Sequence, residues 1–194
     1  MGDPHRGLDI PSVWVQRFAG SIPSGDVLDL ACGSGRHARL LAALGHKVLA
    51  VDRDTLALVH CAGPGIETHQ IDLEQGDAKA CWPFVAQRFA AIVVTNYLHR
   101  PLFPFIVTSL APNGLLIYET FARGNGKFGK PSNPDFLLAP GELLELVAAT
   151  EPGHRLRVIA YEDGYVDIPK PAMLQRICAV KSEIAVCATT LRLN

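Results

Sequence analysis

The stretch Val27-Leu28-Asp29-Leu30-Ala31-Cys32-Gly33-Ser34-Gly35-Arg36-His37-Ala38 constrains the chain more than any other. An apolar run ends in a turn with glycines at two alternate positions, and a helix-like stretch, His37 to Leu44 closed by Gly45, follows at once. The next apolar run, Lys47 to Asp52, completes a strand, helix, strand unit. Gly33 and Gly35 let the backbone turn tightly and approach a ligand without a Cβ in the way. In open α/β sheets ligands bind at this end of the strands.

The alternation continues along the chain. A leader helix over Pro11 to Ala19, with Trp14, Val15 and Phe18 on one side, precedes the first strand. A helix starting at Asp54 and reaching His60, a strand over Gly65 to Asp72, and a buried strand over Phe89 to Thr95 come next. A helix over Leu102 to Leu110 is broken by Pro112, Asn113 and Gly114 before a strand over Leu115 to Thr120. After an irregular stretch from Phe121 to Leu138, Pro140 and Gly141 open a helix with Leu143, Leu144, Leu146 and Val147. Strands over Arg155 to Glu162 and Met173 to Lys181 follow. The pattern predicts an α/β, Rossmann-like doubly wound sheet, mostly parallel, whose last two strands close one edge antiparallel.

With 194 residues this is one domain: a leader (1–24), a core (25–182) and a C-terminal extension (183–194). At 48% hydrophobic and 19% charged residues the chain is no disordered segment. The 18 Lys and Arg against 19 Asp and Glu give no field that draws a polyanion, so no nucleic acid and no membrane surface is expected as partner. Five cysteines without a C-x-x-C pair argue against a disulfide framework and against a metal site. The polar start, with Asp3, Arg6 and Asp9, carries no apolar leader, and a cytoplasmic location is expected.

Two ligands suit the glycine turn. Gly33, Gly35 and Ala38 satisfy G-x-G-x-x-G/A, and Asp52 lies 17 positions past Gly35, ready for ribose hydroxyls, which fits a nicotinamide or flavin dinucleotide. Asp29, four residues before Gly33, argues against a pyrophosphate and for a ligand with cationic centres. S-adenosylmethionine is such a ligand. Asp29 suits its ammonium, Asp52 its two ribose hydroxyls, and Asp72, twenty positions later, its adenine amine. Each acid taken singly is equally well a helix N-cap.

The segment VLDLACGSGRHA, with Asp52 in KVLAVDRD and Asp72 in THQIDLE, resembles the first three cofactor motifs of the class I S-adenosylmethionine-dependent methyltransferases. The C-G-S-G-R-H spelling is most similar to small bacterial enzymes of the tellurite-resistance type. The resemblance runs from Val27 to about Lys181 and implies a seven-stranded sheet. It also implies a cofactor site in which Leu30, Ala31, Cys32, Gly33, Ser34 and Gly35 surround the methionine part, beside the candidates Asp29 for the ammonium and Arg36 for the carboxylate. Asp52 would take the ribose and Asp72 with the backbone of Leu73 the adenine; Arg53 and Asn96 are further candidate cofactor contacts. S-adenosylhomocysteine would be the product. Glu183 to Asn194 extends past the family's last strand and has no family role.

The methyl group would face the ends of the fourth and fifth strands. Asn96-Tyr97-Leu98-His99 lacks the prolines of the N-P-P-Y loop used by amino-methylating nucleic-acid enzymes, which favours a small-molecule acceptor. His99 is the candidate base and Tyr97 a candidate for orienting the nucleophile. Tyr118 and Glu119 are candidate substrate contacts, as are Arg123 and Phe128 in a lid formed by Phe121 to Leu138. Arg36 and His37 either face the site or are solvated helix residues, and Glu162 and Asp163 are surface charge. In-line transfer needs little more than alignment. The alternatives are an NAD(P)-dependent oxidoreductase and a non-catalytic S-adenosylmethionine-binding module; a monomer or homodimer is expected.

Overall fold

A computed structural model describes residues 10–149 and 155–182. Seven strands form one sheet: β1 (Asp26–Leu30), β2 (Lys47–Asp52), β3 (Ile66–Gln70), β4 (Phe89–Thr95), β5 (Leu110–Phe121), β6 (Leu156–Val166) and β7 (Ala172–Lys181). They lie in the order β3-β2-β1-β4-β5-β7-β6. Neighbouring strands from β3 to β5 pair parallel, β7 pairs antiparallel with β5, and β6 antiparallel with β7. The last two strands are joined by residues 167–171 alone, a connection too short for a parallel crossover, so they must pair antiparallel. β7 is therefore the strand that runs against the rest, and β6 takes the edge.

Helices cover both faces. α1 (Val13–Ala19), α2 (Arg36–Ala43) and α3 (Thr55–Cys61) bury Trp14, Val15, Phe18, Leu41 and Leu58 against one face. α4 (Ala78–Cys81), α5 (Phe103–Ser109) and α6 (Glu142–Ala148) bring Phe103, Ile106, Leu143 and Val147 to the other. All seven residues of β4 are buried, which fits its apolar run from Phe89 to Val94. Lys181, itself buried, donates from Nζ to the carbonyls of Val107, Thr108 and Leu110 and so satisfies the C-terminal end of α5.

Some elements depart from the pattern-based expectation. β5 begins at Leu110, directly after α5, because Leu110 pairs with Phe89 and Leu115 with Ala91, leaving Pro112, Asn113 and Gly114 in a bulge. β3 stops at Gln70, two residues short of Asp72. β6 continues to Val166, so Glu162 and Asp163 lie within a strand. The short α4, capped by the Asp77 side chain, has no apolar periodicity to announce it. Residues 1–9 of the leader, Cys187 and the extension 183–194 lie outside the described residues. Among the described residues no helix is long and apolar enough to cross a membrane.

Candidate functional site

The first strand ends at Leu30 and the chain turns through residues in the left-handed region: Ala31 at φ +54°, Gly33 at +53° and Gly35 at +81°. The Cys32 N–H donates to the Val51 carbonyl (3.0 Å), and the Gly35 N–H to the Cys32 carbonyl (3.0 Å). Gly35 then starts α2. A Cβ on Gly35 would lie 2.3 Å from the Cys61 sulfur and 2.9 Å from the Cys61 Cα, so α3 rests directly on the turn. Arg39 fastens the same junction, donating to the carbonyls of Ser34 (2.6 Å) and His60 (3.2 Å).

At the C-terminal tips of β1, β2 and β4, with the loop after β3, lies a cavity of about 240 Å³. Ala31, Asp52, Arg53, Asp72, Leu73 and Asn96, six of the residues predicted for a cofactor, line it together with Tyr97. Asp52 accepts from the Gly33 N–H at 2.7 Å and from the Asp54 N–H at 2.9 Å, tying the tip of β2 to the glycine turn. Asp72 accepts from the Glu74 N–H (3.0 Å) and from Gln75 (3.1 Å). Val51, Ile71 and Glu74 also line the cavity and escaped the sequence reading. The first two precede the predicted acids by one residue, and that adjacency is the signal that could have found them. Glu74 pairs with Arg53 at 3.6 Å and its charge acts on the Tyr97 phenol. Burial and Glu74 push the Tyr97 phenol up. The lining thus has three carboxylates against one guanidinium, itself engaged by Glu74.

Leu30, Cys32, Gly33, Ser34, Gly35 and Arg36 flank this cavity without lining it. Asp29 does not line it either: it is fully buried, and among the described residues neither carboxylate oxygen has a hydrogen-bond partner. Strand alternation turns it toward α2, beneath the turn, so it faces no open cavity. Burial pushes its pKa up to about 7, against the opposing pull of the Ala38 N–H and Arg36. Arg36 lies near both Asp29 and Glu119 and donates to the Ile10 carbonyl at 3.3 Å.

On the side predicted for substrate, His37 is neither solvated nor in the cavity. It is buried, accepts from the Ser12 N–H at Nε2 (3.1 Å), and its Nδ1 lies 3.2 Å from the Thr95 hydroxyl. The first contact requires Nε2 unprotonated, so Nδ1–H donates to Thr95. Burial, helped by Arg36, pushes the His37 pKa down to about 3. Tyr118 is 3% exposed, packs in the core, and donates to the Tyr97 carbonyl at 2.9 Å. Glu119 is likewise buried, and Arg176 donates to it at 2.5 Å and to Glu162 at 3.2 Å. Neither Tyr118 nor Glu119 presents its polar atoms to an open substrate space, since inward registers at the sheet centre are filled by packing. Glu162, engaged by Arg176 and Arg17, is part of an ion-pair chain rather than free surface charge.

The stretch from Phe121 to Leu138 is a folded loop. Phe121 and Leu138, and Leu138 and Arg123, are joined by backbone hydrogen bonds, and buried Asn125 bonds Pro131 and Met173. Arg100 donates to the carbonyls of Asp135 (2.8 Å) and Leu137 (3.0 Å) and pairs with Glu142, clamping the loop to α6. The Arg123 side chain is exposed. Phe128 is half exposed and packs at a tilt against Tyr165 with ring centroids 5.0 Å apart, over the β6 end of the sheet. His99 is half-buried between β4 and α5, with no side-chain partner among the described residues.

Comparison with known proteins supplies independent findings. Residues 27–114 match the family described as a methyltransferase domain. Over 119 residues the chain is 30% identical to a protein-L-isoaspartate O-methyltransferase from Chlorobaculum tepidum, covering 60% of this chain and 53% of the relative. Over 77 residues it is 35% identical to a probable S-adenosylmethionine-dependent methyltransferase from Mycobacterium tuberculosis, covering 35% of this chain and 28% of the relative. The chain thus spans between about a quarter and about half the length of these two curated relatives. TehB from Haemophilus influenzae has the same fold, with a TM-score of 0.68 over 87% of this chain and 61% of its own, at 18% identity.

Proposed function

We propose that this chain, which has the fold and the cofactor-half motifs of the class I S-adenosylmethionine-dependent methyltransferases, binds S-adenosylmethionine and catalyses direct transfer of its methyl group to a small molecule. The observation that carries the reading is the charge of the cavity. Asp52, Asp72 and Glu74 surround a space whose one guanidinium, Arg53, is already engaged. Such a lining favours hydroxyl and amine donors and a cationic ligand, and it repels the pyrophosphate of a nicotinamide dinucleotide.

In this reading Asp52 receives ribose hydroxyls, Asp72 and the Leu73 backbone the adenine edge, and the turn from Ala31 to Gly35 the methionine part. The cofactor supplies a methyl group already activated on a sulfonium. The protein's part is to hold, align and exclude water. Tyr118 is committed to the Tyr97 carbonyl, and neither the Tyr97 nor the Tyr118 phenol ionises readily, so neither serves as a base. Tyr97 instead walls the nucleoside end, and any proton removal falls to His99. That division suits an acceptor whose nucleophile needs little activation, such as a thiol or a chalcogen oxyanion.

The test is transfer of a labelled methyl group from S-adenosylmethionine by the full chain to a panel of thiols, chalcogen oxyanions, phenols, carboxylates and an isoaspartyl peptide. Labelling of a small acceptor and not of the peptide is expected. Labelling of the peptide alone would overturn the small-molecule assignment. Tight binding of S-adenosylhomocysteine without labelling of any acceptor would favour a binding module.

A further inference from the structure

We propose that the outer edge of β6 is an interface at which a second copy of this chain pairs, β6 against antiparallel β6, about a two-fold axis through the β6 bulge. The pairing stands apart from the function proposed above, because backbone register and charge alone carry it.

Among the described residues β7 is the one strand neighbour of β6, so the other side of β6 is an edge. With 11 residues it is more than twice as long as β3, the five-residue strand at the opposite edge. It contains neither Pro nor Lys, the residues that commonly blunt an edge. The ladder tells which backbone groups it offers. In an antiparallel pair, alternate residues turn both their N–H and C=O to one neighbour. The Ala122 N–H donates to the Met173 carbonyl at 2.9 Å, so Met173, Gln175, Ile177 and Ala179 of β7 face β5. The residues between them face β6, and the Ser182 N–H, donating to the Arg155 carbonyl at 3.2 Å, agrees. Their partners Arg157, Ala160, Glu162 and Gly164 therefore turn inward, and Leu156, Val158, Tyr161 and Asp163 turn outward.

The register slips between Val158 and Ala160, which makes Ile159 the extra residue of a bulge. Such a bulge puts an edge out of step with a regular strand, yet this one is in step with its own copy. Turned about an axis between Ile159 and Ala160, an antiparallel copy sets Val158 opposite Tyr161 and Leu156 opposite Asp163. Only in this register does every outward residue from Leu156 to Asp163 meet another. The charges agree with it. Arg157 and Glu162 lie on one face, because their β7 partners Val180 and Arg176 are an even number of residues apart. The register sets Arg157 of each copy opposite Glu162 of the other and places no like charges opposite each other. Arg157 is exposed and has no side-chain partner among the described residues. Glu162, though it accepts from Arg17 and Arg176, keeps a side chain 48% exposed.

A patch that is complementary to itself about a two-fold axis closes as a dimer rather than growing into a fibre. The two sheets then run on as one, with each outward pair exchanging backbone hydrogen bonds. Because the two copies of β6 are antiparallel, the cavities at the tips of β1, β2 and β4 open at opposite ends of the joined sheet, and neither copy covers the other's cavity.

The full chain is sedimented over a wide range of concentrations, and its amide exchange is followed by NMR at both ends of that range. A reversible dimer with twice the 20.9 kDa chain mass is expected. The amides of Leu156, Val158, Tyr161 and Asp163 are expected to be protected when concentrated and to exchange on dilution, while those of Arg157, Ala160 and Glu162 do not change. Val158→Pro removes an outward N–H at an edge position where Pro is tolerated, and it is expected to raise the dimer Kd roughly tenfold or more with the melting temperature unchanged. Arg157→Glu sets like charges across the axis and is expected to weaken the dimer in the same direction; it decides the matter if the Pro variant folds poorly. A monomer at every concentration, a dimer that protects other amides, or a dimer indifferent to Arg157→Glu would overturn the proposal. Protection of the same amides in a particle of monomer mass would give the edge to an extended peptide and overturn the second copy as its occupant.

Discussion

Asp52 and Asp29 carry the same side chain in opposite surroundings. Asp52 reaches the cavity while its oxygens also hold the Gly33 and Asp54 N–H groups. Asp52→Ala removes charge-assisted bonds to ribose, and a loss of roughly 1.5 to 3 kcal/mol in S-adenosylhomocysteine affinity is expected by calorimetry. Asp29 is sealed from water and unpartnered. With its pKa near 7 folded and 3.8 unfolded, the folded chain holds a proton here that the unfolded chain has released between those values. Stability therefore falls as pH rises through that window. Thermal unfolding of Asp29→Asn is expected to shift in the variant's favour relative to the parent between pH 5 and pH 8. A constant difference would contradict the buried, ionising carboxylate. Spacing located Asp52 and Asp72 because strand tips recur with the βαβ repeat. The burial of Asp29, Tyr118 and Glu119 was not legible, because a single chain's pattern does not tell which inward registers at the sheet centre are filled from neighbouring strands.

At the scale of elements, the contact between α3 and the glycine turn and the tie between α1 and β4 carry the site's shape. Gly35→Ala introduces a Cβ into Cys61 at a φ of +81°. Left-handed strain and overpacking together are expected to cost at least about 2 kcal/mol in denaturant unfolding. His37 links the Ser12 N–H to Thr95 at the tip of β4, next to Asn96. Its folded pKa near 3 lies below the ordinary 6.5, so the unfolded chain takes up the proton first. This contribution to stability is whole above pH 6.5 and is lost as pH falls toward 3. His37→Gln is expected to be less stable than the parent at pH 7.5, with the gap narrowing by on the order of 1 to 2 kcal/mol at pH 5. The strands and most helices were readable from apolar runs and turn residues. α4, the bulge that starts β5 and the folding of the 121–138 loop were not, since they depend on a side-chain cap, a register slip and the clamp of Arg100.

For the whole molecule, the strand order places the tips of β1, β2 and β4 and the loop after β3 around one acid-lined cavity, with the β4–α5 loop and His99 beside it. Both the methyltransferase reading and the dinucleotide reading arise from the same glycine spacing, and the charge of the cavity separates them. Its central claim is tested most directly by calorimetric titration of the full chain with S-adenosylhomocysteine and, separately, with NADH and NADPH. Saturable micromolar binding of S-adenosylhomocysteine, with no heat from either dinucleotide, is the expected result. Binding of a nicotinamide dinucleotide in place of S-adenosylhomocysteine would contradict the account.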